Sequence, residues 1–290
     1  MEKIKGTGVA LVTPFNADKS IDYKGLESLL THVIDGGVDY LVLMGTTGES
    51  ATLSKEEKIE VVNFCKEINK ERLPIVLGIG GNNTMQIVSD LQSTNLDGID
   101  AILSVSPCYN KPSQEGIYQH YKMISKNSPL PIIMYNVPGR TASNISAETT
   151  LRLASEFENI VAIKEASGDM DQIMKIIQGK PSRFIVLSGD DGLTLPMIYM
   201  GAEGVISVIG QTHPKEYSDM VSFGISANNV IAGELHKRLY AFYQPLYEEG
   251  NPVGVKACLQ VLGICKSEVR LPLVKASEKI TQDLKKLIEQ

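Results

Sequence analysis

Two hydrophobic patterns alternate along the chain. Short apolar runs rich in β-branched residues occur at 8–15, 40–45, 74–80, 101–106, 131–136, 160–166, 184–190 and 204–210. Runs of this length and composition read as buried strands. A stretch with helical periodicity follows each one, for example 23–36, 54–69 and 214–226. Ser54-Lys55-Glu56-Glu57 has the form of a capping box, in which hydroxyl and carboxylate satisfy free amides at a helix start. Strands alternating with helices imply parallel pairing. Eight such units predict an α/β protein built as a closed (β/α)8 TIM barrel. A doubly wound open sheet is the alternative, but it usually has fewer strands and a phosphate-binding glycine turn. Gly78-Ile79-Gly80-Gly81-Asn82-Asn83 begins like that turn, yet Asn83 stands where its last glycine belongs, so it reads as a barrel loop. Beyond Ser226 only helical patterns remain, at 230–248, 252–263 and 277–289. The expected organisation is a catalytic barrel over 1–226 and a three-helix C-terminal extension over 227–290.

One position breaks the apolar pattern. Lys164 lies within Ile160-Val161-Ala162-Ile163-Lys164-Glu165-Ala166. Desolvating an ammonium is costly, and burial lowers its pKa. A lysine so treated carries a free amine near neutral pH, and a free amine attacks carbonyls to form Schiff bases. The competing reading is a strand-end lysine that snorkels to water or pairs with Glu165.

Composition narrows the setting. The 290 residues are 43% hydrophobic and 21% charged, as in ordinary globular proteins. A net charge of −6 and a pI near 5.4 argue against a general nucleic-acid surface. No apolar run approaches the roughly 18 residues of a membrane span, and no signal peptide is apparent. Cys65, Cys108, Cys258 and Cys265 form no C-x-x-C pair, which fits a reducing cytoplasm. His32, His120, His213 and His236 are scattered, so no metal is expected.

Reactive residues of such a barrel gather at the C-terminal ends of its strands. Those ends carry Gly45-Thr46-Thr47-Gly48-Glu49-Ser50, Ser106-Pro107-Cys108-Tyr109-Asn110, Tyr135-Asn136-Val137-Pro138-Gly139-Arg140-Thr141, Lys164, Ser188-Gly189-Asp190-Asp191 and Gly204-Val205-Ile206-Ser207. An amine nucleophile, hydroxyl proton carriers and a carboxylate-binding cation make up a carbonyl-addition site. Each segment also has a plainer reading. Gly45-Thr46-Thr47-Gly48 is not a P-loop and could be a tight turn. Tyr135 could be a core aromatic, and Arg140 a surface arginine. Asp190-Asp191 reads as a helix N-cap more readily than as a metal site. Lys256 falls in a helical pattern and reads as a packed or surface lysine.

Together these segments resemble the dihydrodipicolinate synthase (4-hydroxy-tetrahydrodipicolinate synthase) family over nearly the whole chain. The resemblance rests on Gly8-Val9-Ala10-Leu11-Val12-Thr13-Pro14-Phe15, Gly45-Thr46-Thr47-Gly48-Glu49, Tyr109-Asn110-Lys111-Pro112, the segment 135–141, Ile163-Lys164-Glu165-Ala166 and Ser188-Gly189-Asp190-Asp191. It implies a class I aldolase-type lyase. By that resemblance Lys164 would form a Schiff base with pyruvate, and the enamine would add to L-aspartate-4-semialdehyde in the first committed step towards diaminopimelate and lysine. It further implies a proton relay of Tyr135, Thr46 and Tyr109, with Tyr109 completing a neighbouring subunit's site in a homotetramer. Thr47 and the Thr46 backbone are expected to hold the pyruvate carboxylate, and Arg140 the semialdehyde carboxylate. Gly189 and Ile206 would line the site through their backbones. No cofactor beyond the covalent Schiff base is implied.

The doubled Thr46-Thr47 and Arg140 favour a synthase over a sialate-type retro-aldol lyase, the second reading. A silent pyruvate-binding regulator is the third, and intact Lys164, Tyr135, Thr46 and Tyr109 argue against it. One departure concerns feedback by lysine. Ser50, Ala51 and Asn82 match the inhibited enzymes, but Lys55 and Lys58 replace histidines, Gln86 a glutamate and Cys108 a tyrosine. Weak or absent lysine inhibition is therefore expected.

Overall fold

The computed structural model describes residues 2–289. Eight parallel strands close into a barrel in sequence order: β1 (Gly6–Ala10), β2 (Tyr40–Leu43), β3 (Ile75–Gly78), β4 (Ala101–Val105), β5 (Ile132–Asn136), β6 (Ile160–Glu165), β7 (Ile185–Ser188) and β8 (Gly204–Ser207). β1 pairs with both β2 and β8, which leaves no free sheet edge. The surrounding helices are α1 (Tyr23–Asp35), α2 (Lys55–Asn69), α3 (Thr84–Ser93), α4 (Gln114–Asn127), α5 (Pro138–Thr141), α6 (Ala147–Glu156), α7 (Met170–Gly179), α8 (Thr194–Met200) and α9 (Pro214–Ile225). The extension adds α10 (Asn229–Tyr247), α11 (Val253–Val261) and α12 (Glu278–Ile288). No described helix is long and apolar enough to cross a membrane.

All eight strands fall where the apolar runs place them, but most end sooner. β1 differs most: it starts at Gly6 and stops at Ala10 instead of covering 8–15. Gly6 can start the strand because it sits at φ +78°, packed against Gly204, where an added side chain would strike the Gly6 backbone. After Ala10 the ladder passes to Leu11 N donating to Val42 O, then to Val12 N donating to the Gln211 side chain. Pro14 then offers no amide to continue it. The capping box at Ser54 forms as the sequence predicts, with Ser54 Oγ accepting from Glu57 N and Glu57 accepting from Ser54 N. The glycine-rich stretch after β3 is a loop, and Asn83 caps α3 by accepting from Gln86 N.

Strand alternation separates two cores. Ala10, Val42, Val76, Ala162 and Leu187 belong to the cluster that fills the barrel. Leu41, Leu77, Ile163 and Val186 pack outward against the helices. Lys164 follows Ile163, so its side chain turns inward with Ala162, and Glu165 turns outward.

Candidate active site

Lys164 stands in register between Tyr135 on β5 and Leu187 on β7. It is only 6% exposed, and its Nζ lies 4.3 Å from the centroid of the Tyr135 ring. Among the described residues no carboxylate comes within ion-pair distance of it. Burial pulls its pKa down to about 8; Asp191 opposes that shift, and the charge of Arg140 adds to it. The pairing with Glu165 is overturned. The Glu165 carboxylate faces the helix layer, where it accepts from Asn136 Nδ2, Ser167 N at 2.7 Å and Gln172 Nε2 at 3.1 Å. Nor does the lysine snorkel. Gly189 leaves room for it: a Cβ there would stand 3.0 Å from Lys164 Cε and 2.7 Å from Ala166 Cβ.

Tyr135 is buried beside the amine. Burial pushes its phenol up to about 12, and Arg140 and a hydrogen bond with Thr46 restrain the rise. The phenol therefore stays protonated at neutral pH and can donate. Thr46–Gly48 forms a single 3-10 turn after β2. Thr46 is exposed at the mouth of the barrel, whereas Thr47 is buried. Thr47 Oγ1 accepts from Asn251 Nδ2 at 2.9 Å, and Gly48 O accepts from Thr13 Oγ1 at 2.7 Å. With its oxygen already occupied as an acceptor, the Thr47 hydroxyl keeps its own proton free to donate to an anion.

Arg140 sits in the one-turn helix α5 and is exposed, yet its charge is felt at both Lys164 and Tyr135. Ile206 on β8 is buried in the barrel interior. Tyr109 does not join this group within one chain. It projects outward at 88% exposure, from a residue at φ +69° whose amide donates to Thr141 O.

Asp190 and Asp191 divide their work. Asp190 Oδ1 accepts from Gly192 N and Leu193 N, closing the turn ahead of α8, although the helix itself starts after Leu193 with no side-chain cap. The N-cap expectation is thus corrected for both residues: Leu193 stands at the N-cap, Asp190 only closes the turn before it, and Asp191 is employed elsewhere. It is buried and accepts from Ser207 Oγ at 2.7 Å, Ile209 N at 2.9 Å and Tyr247 OH at 2.7 Å. It thus ties the end of β8 to α10 and places a negative charge near Lys164. Sequence reasoning missed this role, and it missed Asn251, whose only signal is a break between two helical patterns. Among the described residues no group of three or more His, Cys, Asp or Glu side chains is arranged to hold a metal. A partly neutral amine, a protonated phenol linked to a threonine, and a nearby guanidinium can together add an amine to a carbonyl and steer the protons that follow.

Comparisons agree with this chemistry. A 4-hydroxy-tetrahydrodipicolinate synthase of Flavobacterium psychrophilum is 54% identical over 284 residues, spanning 98% of this chain and 97% of its own length. The crystal structure of dihydrodipicolinate synthase from Acinetobacter baumannii complexed with pyruvate superposes with a TM-score of 0.95 at 38% identity, covering 99% and 98% of the two chains. That of the enzyme from Cyanidioschyzon merolae with lysine bound gives 0.94 at 36% identity, again covering 99% and 98%. Residues 3–290 match the dihydrodipicolinate synthetase family, and the chain belongs to it.

Proposed function

We propose that this chain condenses pyruvate with L-aspartate-4-semialdehyde, the committing step towards diaminopimelate and lysine. The buried amine of Lys164, its pKa lowered to about 8 against the Tyr135 ring, carries this reading. Lys164 Nζ adds to the keto carbon of pyruvate, and loss of water leaves an iminium. The iminium draws electrons from the neighbouring methyl, which gives up a proton to form an enamine. The enamine carbon attacks the aldehyde of the second substrate. The amine of that substrate then displaces Lys164, closes the ring and frees the enzyme. The covalent bond to Lys164 does the work that an external cofactor would do.

Tyr135 and Thr46 carry protons to and from these intermediates. Tyr109, exposed in one chain, completes the relay in a neighbouring subunit of a homotetramer. Thr47 Oγ and the Thr46 amide hold the pyruvate carboxylate, while Gly189 and Ile206 line the site. Arg140 takes the semialdehyde carboxylate with a planar fork that lysine does not reproduce. Arg140→Lys is accordingly expected to raise KM for the semialdehyde by about ten- to a hundredfold, with KM for pyruvate within about twofold of wild type. Steady-state kinetics with each substrate varied in turn checks this.

Turnover decides between this reaction and retro-aldol cleavage. Purified protein is expected to consume pyruvate with the semialdehyde and not with N-acetylmannosamine; the reverse result overturns the reading.

Lysine feedback is expected to be weak or absent. The relative solved with lysine bound shows that the fold can hold that ligand. In this chain, however, Gln86 offers no carboxylate and its amide is engaged by Asp90 Oδ1 at 2.9 Å. Cys108 offers no ring to stack on. Each lost contact is worth about 1 kcal/mol or more. Half-maximal inhibition at submillimolar lysine would contradict this expectation.

A further inference from the structure

The turn that carries Thr46 and Thr47 is held largely by the C-terminal extension. Asn251, just ahead of α11, donates to Thr47 Oγ1. Lys256, within α11, is fully buried, and its Nζ donates to Glu49 Oε1 at 2.5 Å and to Glu268 O at 2.7 Å. The other oxygen of Glu49 accepts from Arg270 N at 2.9 Å, and the Arg270 guanidinium donates to Thr52 O at 2.9 Å. Phe15 packs beneath both cations, 4.2 Å from Lys256 Nζ and 4.5 Å from Arg270 Cζ. Glu49 directly follows the turn and sits in the left-handed region at φ +52°. A residue other than glycine keeps that conformation only when its surroundings enforce it. A buried ion pair generally adds little stability over a well-packed apolar pair, and its best-attested use is to select one conformation.

We propose that Lys256 and Glu49 are positioning residues for the reaction, their buried pair setting the Thr46–Thr47 turn at its height relative to Lys164. The C-terminal extension is then part of the pyruvate site, although its residues Asn251 and Lys256 are more than 200 positions from the turn they hold. The inference rests on the function proposed above. Displacing a substrate-holding group by about 1 Å can cost about a hundredfold in rate.

The test compares Lys256→Met, Glu49→Gln and the double variant, all as the full chain. Lys256→Met alone strands a buried carboxylate and is expected to lower the melting temperature. The double variant removes both charges, keeps an acceptor for Arg270 N and recovers stability. If the positioning role holds, the double variant and Glu49→Gln stay folded but show KM for pyruvate raised by about tenfold or more, with KM for the semialdehyde changed by less than about twofold. Borohydride trapping of pyruvate on each variant should slow in proportion, with the same pH dependence as wild type. A folded double variant, or a folded Glu49→Gln, with wild-type pyruvate KM and trapping rate overturns the proposal and leaves a purely structural pair. Failure of the wild type to trap pyruvate at all would instead count against the reaction itself, so the two outcomes are separable.

Discussion

Replacing Lys164 by alanine is expected to abolish the pyruvate adduct and to lower kcat/KM by about 10⁴-fold or more, because no other amine would replace the proposed nucleophile. The variant should stay folded. Lys164 makes no ion pair among the described residues, so its removal strands no partner charge, and it relieves the cost of a buried cation. Circular dichroism and gel filtration that match wild type, beside lost turnover, separate a catalytic loss from a folding loss. In the wild type, the pH dependence of adduct formation reports the same group. A lowered pKa means that the protonated, unreactive form dominates only below it. With a pKa of about 8, roughly one lysine in ten is neutral at pH 7, against roughly one in three thousand at the ordinary value of 10.5. The trapping rate should therefore climb about tenfold per pH unit below that point and level off above it. A rate still climbing through pH 10 would place the amine in water.

Tyr135→Phe is expected to lower kcat by about 10²- to 10³-fold while leaving KM for pyruvate close to wild type. The ring lies 4.3 Å from Lys164 Nζ, and phenylalanine keeps that packing, so the substitution isolates the hydroxyl. With its pKa pushed up to about 12, the phenol remains a proton donor across the neutral range, and Thr46, which restrains that rise, is the proposed next carrier towards the mouth of the barrel. A phenylalanine variant with wild-type kcat would return Tyr135 to the core, with no part in proton transfer.

The eight strands are legible in the sequence because a parallel strand covered on both faces is apolar along its whole length. Their ends are less legible. At 11–15 the chain stays apolar after the sheet has ended, because Leu11, Val12 and Phe15 pack into the core from a loop. Lys164 could be read as unusual from its neighbours alone, but choosing between nucleophile and ion pair required the alternation that turns Glu165 outward to Asn136 and Gln172. Asn251 and Asp191 act through contacts that no local pattern predicts. Lys256 left a signal that was available: Val253, Val255, Ala257, Cys258 and Leu259 are all buried, and a helix apolar on every side buries whatever lysine it contains. The part proposed for Tyr109 would lie between subunits, and one chain shows only its exposure.

The most direct test of the account is reduction with borohydride in the presence of pyruvate, followed by peptide mass spectrometry. The account predicts one stable adduct, on Lys164; an adduct on any other residue, or none, would contradict it.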